Sequence, residues 1–263
     1  MTRKTFAARR APDKSGLWLY GIHAVKAALA NPLRLCRRCV ATEAAAEQIG
    51  EALLRKTEVQ IVAADQVSRF LSPGAVHQGV ALACEPLPRR ELRDVLAGEG
   101  RKIVLVLDQI SDPQNVGAIL RSAAAFDAAA VIVQDRHAPP ESGALAKAGS
   151  GALDLVPYLP VVNVARALEQ LGAAGFWRIA LGREAGRTLA DALVPGDVAL
   201  VLGSEGAGIR HLVRDRCDDS ASRPDVLGGG LQPSCGGVVV QSGMTGGPKE
   251  QSVLFGFQIG CFH

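Results

Sequence analysis

At 263 residues, 48% hydrophobic and 21% charged, the chain can bury one large or two modest cores, which excludes disorder as the default. No stretch reaches the ~18 consecutive apolar residues of a membrane span, and the N-terminus lacks the apolar segment of a secretory signal, so a cytoplasmic protein is expected. A net charge of +3 permits a nucleic-acid partner without demanding one, because local clustering sets the electrostatic footprint.

Residues 1–17 form a basic arm. Arg3, Lys4, Arg9, Arg10 and Lys14 stand against one acid, Asp13, a pattern that suits phosphate contact and equally suits a solvated tail. Residues 18–86 read as a small α/β domain. Ile22, Val25, Ala28 and Leu29 make a helical stripe; 33–40, 59–63 and 79–84 read as strands, with helices over 41–54 and 64–71. His23 and His77 sit near element ends, where histidine commonly caps or packs. Residues 87–101 open on a proline neighbourhood, end in glycines, and read as a linker with a helical turn or two. Its Arg89, Arg90, Arg93 and Arg101 suit an RNA backbone or a solvated face.

From residue 102 to 218 the pattern predicts a parallel sheet with helices on both sides: strands 103–108, 130–134, 177–182 and 198–203, and helices 115–126, 142–149, 163–171 and onward from Ile209. Five apolar residues ending at Asp108 read as a strand buried on both faces. Asn115, Gly117 and Arg121 then fall at a strand-to-helix turn, the usual ligand side of an open α/β sheet, where Gly117 would let a substrate approach the backbone. Spacing alone leaves Arg121 a solvated helix residue or a functional cation. The strand 198–203 repeats the design, running into a loop with Gly203, Gly206 and Gly208, bare N–H groups, and Glu205 as its one charged side chain. Six cysteines read as free thiols, and Cys36-x-x-Cys39 has no second pair to complete a zinc site, so no metal is expected.

Asn115-x-Gly117-x-x-x-Arg121, then Leu202-Gly-Ser-Glu-Gly206, resembles the first two motifs of the SpoU/TrmH class of SPOUT RNA 2'-O-methyltransferases, and Lys147-Ala-Gly-Ser150-Gly-Ala152 is similar to their middle segment. Tyr20-Gly-Ile-His23 and His77-Gln-Gly-Val80 resemble the N-terminal substrate-binding domain of the RlmB-like branch, which acts on guanosine of large-subunit ribosomal RNA. The resemblance implies a small N-terminal RNA-binding domain and a methyltransferase domain with a C-terminal trefoil knot. It implies S-adenosylmethionine as cofactor, ribosomal RNA as partner, and a homodimer without metal or membrane. It implies catalytic roles for Arg121, Asn115 and Glu205, cofactor contacts from Gly182, Gly203, Ser204 and Gly206, and RNA contacts from His23, Arg89 and Arg90. A dinucleotide-binding oxidoreductase, prompted by Gly203-x-x-Gly206-x-Gly208, fails because that fingerprint should open the domain and be followed ~20 residues on by an acid. An RNA-binding protein without catalysis is the other alternative.

After Asp218 the composition changes. Ten of the 29 glycines fall in residues 219–263, where a long closing helix is expected from the resemblance, and each interior glycine costs a helix ~1 kcal/mol. The stretch reads as an atypical tail, either of lost reading frame or genuine and divergent; the first reading predicts an incomplete knot and weak cofactor binding.

Overall fold

A computed structural model describes residues 16–97, 100–182 and 185–222. The arm up to residue 15 and the tail past residue 222 lie outside the described residues, and with them the expectations placed there.

The first unit is a four-stranded sheet of β1 (Leu17–Tyr20), β2 (Cys36–Ala41), β3 (Glu58–Ile61) and β4 (Val80–Cys84), in the order β1-β4-β2-β3. Only β2 and β3 run parallel. Helix α1 (Ile22–Ala30) buries the predicted stripe of Ile22, Val25, Ala28 and Leu29. The helix expected over 41–54 is broken into α2 (Glu43–Ile49) and α3 (Glu51–Leu54) by Gly50, whose φ of +93° no helix accommodates. A short α4 (Ala64–Val67) precedes β4, and α5 (Leu92–Leu96) occupies the linker.

The second unit is an all-parallel six-stranded sheet. It comprises β5 (Ile103–Asp108), β6 (Ala130–Gln134), β7 (Tyr158–Val161), β8 (Trp177–Gly182), β9 (Val198–Gly203) and β10 (Asp219–Ser222), in the order β10-β8-β9-β5-β6-β7. Strand pleating sends alternate residues to opposite faces. Leu105, Leu107, Val131, Val133, Ile179 and Leu200 join one core with α6 (Pro113–Ala125), α7 (Gly143–Ala148) and α9 (Leu189–Ala192). Val104, Val106, Ile132, Ala180 and Val201 join the other, under α8 (Val164–Ala173) and α10 (His211–Arg214). Each buried leucine or isoleucine contributes ~1.5–3 kcal/mol, so this sandwich is the main source of stability.

Helix α6 starts two residues earlier than the expected Asn115. Proline is tolerated at the first helical position, where its missing N–H would be unpaired anyway, and Asp112 caps the end by accepting from the N–H groups of Gln114 and Asn115, both at 3.2 Å. β10 takes in the first four residues of the stretch set apart as tail. It is clasped to β8 by Arg178, whose backbone N–H and guanidinium donate to the Asp218 carboxylate at 2.8 Å and 2.5–2.8 Å.

The two units share one core. Leu19, Val25 and Leu29 belong to the same apolar cluster as Leu105, Ile119 and Leu153. The approach is closest at glycines: a Cβ on Gly143 would stand 2.4 Å from the Trp18 carbonyl oxygen, and one on Gly151 2.8 Å from Ala27 Cβ. Arg34, its side chain fully buried, crosses this junction to pair with Asp154 at 2.9 Å and with Glu141. Burial pulls the Arg34 pKa down, but hydrogen bonds and charge from those two carboxylates outweigh it and raise the pKa above its ordinary value.

Candidate active site

β5 and β9 are neighbours in parallel register, with Asp108 opposite Gly203, so the loops that leave both strands emerge side by side at the carboxyl edge. Asp108 is fully buried, and a buried carboxylate needs partners. Arg210, just beyond the glycine loop, supplies them: its backbone N–H donates to one carboxylate oxygen at 2.9 Å, and its Nε and Nη2 donate to the other at 2.9 and 2.6 Å. One side chain therefore staples the turn after β5 to the loop after β9. Sequence reading missed this pair. The available signal was a charged residue closing a run of buried apolar ones, with an arginine two residues past the last loop glycine. Gln109 follows with φ +59°, a left-handed conformation uncommon outside glycine and concentrated at functional turns.

The glycine loop folds back on itself. Gly208 N–H donates to the Ser204 carbonyl at 3.0 Å, and a Cβ on Gly203 would meet the Gly208 carbonyl carbon at 2.1 Å. Gly203 is thus required by loop closure. Gly206, at φ +88°, and Gly208, at φ +70°, need positive φ and have open space where a side chain would stand; Gly182, ending β8, is likewise open. These positions leave bare backbone N–H and C=O groups at adjoining strand ends. Glu205 is exposed on the loop and already engaged in an interaction.

Asn115 sits in the first turn of α6, half-buried beneath the Asp112 cap. Arg121 lies about two turns into α6, past the strand-to-helix turn where it was expected; it is exposed and enters no ion pair among the described residues. Gly117 does not serve substrate approach. It is buried, and a Cβ there would stand 2.4 Å from Ala148 Cβ and 2.8 Å from Gly149 N, so its role is to let α7 close on α6. The first motif and the middle segment are therefore packed together.

His23 is exposed at the start of α1, and its carbonyl oxygen is 3.0 Å from the Cβ position of Gly151, so it borders the middle segment too. Beside it Lys147 Nζ donates to Gln78 Oε1 at 2.5 Å, with its pKa lowered by partial burial. Arg89 and Arg90 lie on the linker and line a cleft of about 680 Å³ whose other walls are the loop after β6 and the segment leading into β7. Cys36, Cys39, Cys84 and Cys217 are free thiols; the remaining cysteines lie outside the described residues. Among the described residues no helix is long and apolar enough to cross a membrane.

The fold is a parallel α/β sheet covered on both faces, with a glycine loop after β9 stapled to the turn after β5 at the carboxyl edge of the central strands. The chain belongs to the SpoU family of RNA methylases. The model of the SpoU rRNA Methylase family matches residues 102–224, and that of the RNA 2'-O ribose methyltransferase substrate binding domain matches residues 18–90. The chain is 34% identical over 218 residues to the 23S rRNA (guanosine-2'-O-)-methyltransferase RlmB of Vibrio vulnificus (strain CMCP6), covering 80% of this chain and 88% of that protein. RlmB of Escherichia coli (strain K12) is 34% identical over 213 residues, covering 78% and 88%. Among solved structures, the SpoU methyltransferase AviRb from Streptomyces viridochromogenes in complex with AdoMet has a TM-score of 0.66 at 22% identity, covering 82% of this chain and 83% of that one. An AdoMet-bound rRNA methyltransferase from Sinorhizobium meliloti has a TM-score of 0.64 at 24% identity, covering 81% of each. Likeness at those identities shows the fold.

Proposed function

We propose that this chain methylates a ribose 2'-hydroxyl of ribosomal RNA with S-adenosylmethionine, at a guanosine of the large subunit as the names of its RlmB relatives state for them. The observation that carries the reading is the Asp108–Arg210 staple, which holds the Asn115 turn and the Gly203–Gly208 loop at adjacent strand ends.

Gly182, Gly203, Ser204 and Gly206 would hold the cofactor through backbone groups. Bound, S-adenosylmethionine supplies a methyl group on a positively charged sulfur, ready for an oxygen nucleophile. The protein's task is then positioning, which can supply up to ~7–11 kcal/mol when reacting atoms are held at near-attack distance. Arg121, a donor-only guanidinium, orients the 2'-hydroxyl and stabilises negative charge on its oxygen by hydrogen bonding, while the oxygen takes the methyl from sulfur, leaving a neutral thioether, and gives up its proton to solvent water. Asn115 fixes the ribose or Arg121 through its amide, and Glu205 braces the loop. His23 at the junction and Arg89 and Arg90 on the cleft contact RNA. The same family reading carries a cytoplasmic homodimer.

The test incubates the purified full chain with methyl-labelled S-adenosylmethionine and large-subunit ribosomal RNA, then digests the product to nucleosides. Label in 2'-O-methylguanosine is expected. Label in a base, or none while the cofactor binds, refutes the assignment.

A further inference from the structure

The cleft holding Arg89 and Arg90 is built by all three parts of the chain: Asn31, Leu33 and Pro86 of the first unit, Leu87–Arg90 of the linker, and side chains from the loop after β6 and from the segment leading into β7 of the second. Apolar side chains of Leu33, Leu87, Ala138, Val156 and Tyr158 line it, with Leu155, 71% exposed, among the lining residues. Six of its lining residues are prolines, whose locked φ makes the wall largely preformed, and Tyr158 Oη is tied to the Pro139 carbonyl at 2.9 Å.

Its charge is one-sided. Of its three carboxylates, Glu141 and Asp154 are already paired with Arg34, which leaves Asp135. Against that stand Arg89, Arg90 and Arg136, all exposed and without ion pairs among the described residues. An apolar slot with a surplus of unpaired guanidinium groups at its mouth suits an anion that carries flat apolar parts. Unpaired RNA has that composition: phosphates on a backbone, and bases free to leave the stack. A duplex presents phosphate to the outside and would leave the slot empty.

Position agrees. The loop Asp135–Glu141 leaves the carboxyl end of β6, the strand next to β5, so one wall of the cleft starts from the same sheet edge as the turn after β5. We propose that this cleft holds an unpaired segment of the RNA flanking the methylated nucleotide, with a base in the slot and phosphates on Arg89, Arg90 and Arg136. This rests on the RNA methyltransferase reading above and adds Arg136 and the slot to it.

The experiment measures binding of a fluorescein-labelled short single-stranded oligoribonucleotide to the full chain across a salt series, beside a duplex of equal length and a glutamate-rich peptide. The triple variant Arg89→Ala/Arg90→Ala/Arg136→Ala should bind the single strand at least tenfold more weakly, its log-affinity slope against log salt reduced by ~2, since each phosphate contact contributes ~0.7 on a single strand. Leu155→Asp, at an exposed position, should also weaken binding with the fold intact by circular dichroism. Unchanged affinity and slope in the triple variant overturn the proposal, as does binding the duplex as tightly as the single strand. Arginine-dependent capture of the peptide but not the RNA overturns it in favour of an acidic protein partner. Methylation of ribosomal RNA by the parent chain, measured in parallel, separates the two readings. If the parent methylates while the cleft variants bind normally, the cleft fails alone; if it neither binds nor methylates RNA, both fail.

Discussion

Replacing Arg210 with alanine removes two of the three N–H groups that hold the buried Asp108 carboxylate, leaving the backbone N–H at 2.9 Å. Stranding one member of a fully buried pair costs ~3–5 kcal/mol. Arg210 is itself 39% exposed, so water can enter from its side; an expected loss of about 2–3 kcal/mol follows. For a chain of this size that is a fall in Tm of about 5–10 °C, and the urea midpoint should drop with the m value unchanged. Cofactor affinity should fall as well, because the loop after β9 loses its tie to β5. The double variant Asp108→Asn/Arg210→Met removes charge from both ends and should be more stable than Arg210→Ala, a coupling readable in a double-mutant cycle. If Arg210→Ala shifts the midpoint by less than ~0.5 kcal/mol, or the two sites add independently, the staple is not what joins the motifs.

Arg121→Ala should abolish methyl transfer while changing stability by less than ~0.5 kcal/mol, because the side chain is exposed; Arg121→Lys should not restore turnover, and full turnover in either variant removes Arg121 from the mechanism. Gly117→Ala places a methyl 2.4 Å from Ala148 Cβ and should cost about 1–3 kcal/mol in urea unfolding, with neutral behaviour showing that α6 and α7 can part. Asp218 titrates below the usual carboxylate range because of its hydrogen bonds to Arg178, so its stabilising share is complete above pH ~4 and lost as pH falls toward its lowered value. Asp218→Asn should flatten urea midpoint against pH in that acidic window, and an unchanged profile would show the clasp contributes nothing. Calorimetry should find S-adenosylmethionine bound more weakly by this chain than by a version whose residues past 222 are replaced with the matching segment of the Vibrio vulnificus relative; equal affinities would show that the glycine-rich tail serves as well.

The central strands were readable because Val and Leu runs such as 103–107 and 198–202 have few other uses. The edges were not. β7 contains Pro160, which argues against a strand until the strand proves to lie at the border of the sheet, where a missing N–H is tolerated. β10 reads Asp-Ser-Ala-Ser, with little strand preference, and is held by the Arg178–Asp218 clasp instead. Motif spacing pointed to the Asn115 turn and the glycine loop, yet it could not pair Asp108 with a partner 102 positions away, nor show that Gly117 and Gly203 are small because Ala148 and Gly208 occupy the space. Those are facts of distant contact, which local pattern does not encode.

The junction built on Gly143 and Gly151 gives the linker a smaller part than its position suggests. Two pieces that meet through a shared apolar core and a buried arginine are held by their faces, and the connecting segment adds chiefly a high effective concentration. A chain severed between them should behave as a complementing pair of fragments, reassembling when mixed. Neither half would be a free-standing module to graft elsewhere, because each would carry into water the surface that the other was shaped to cover.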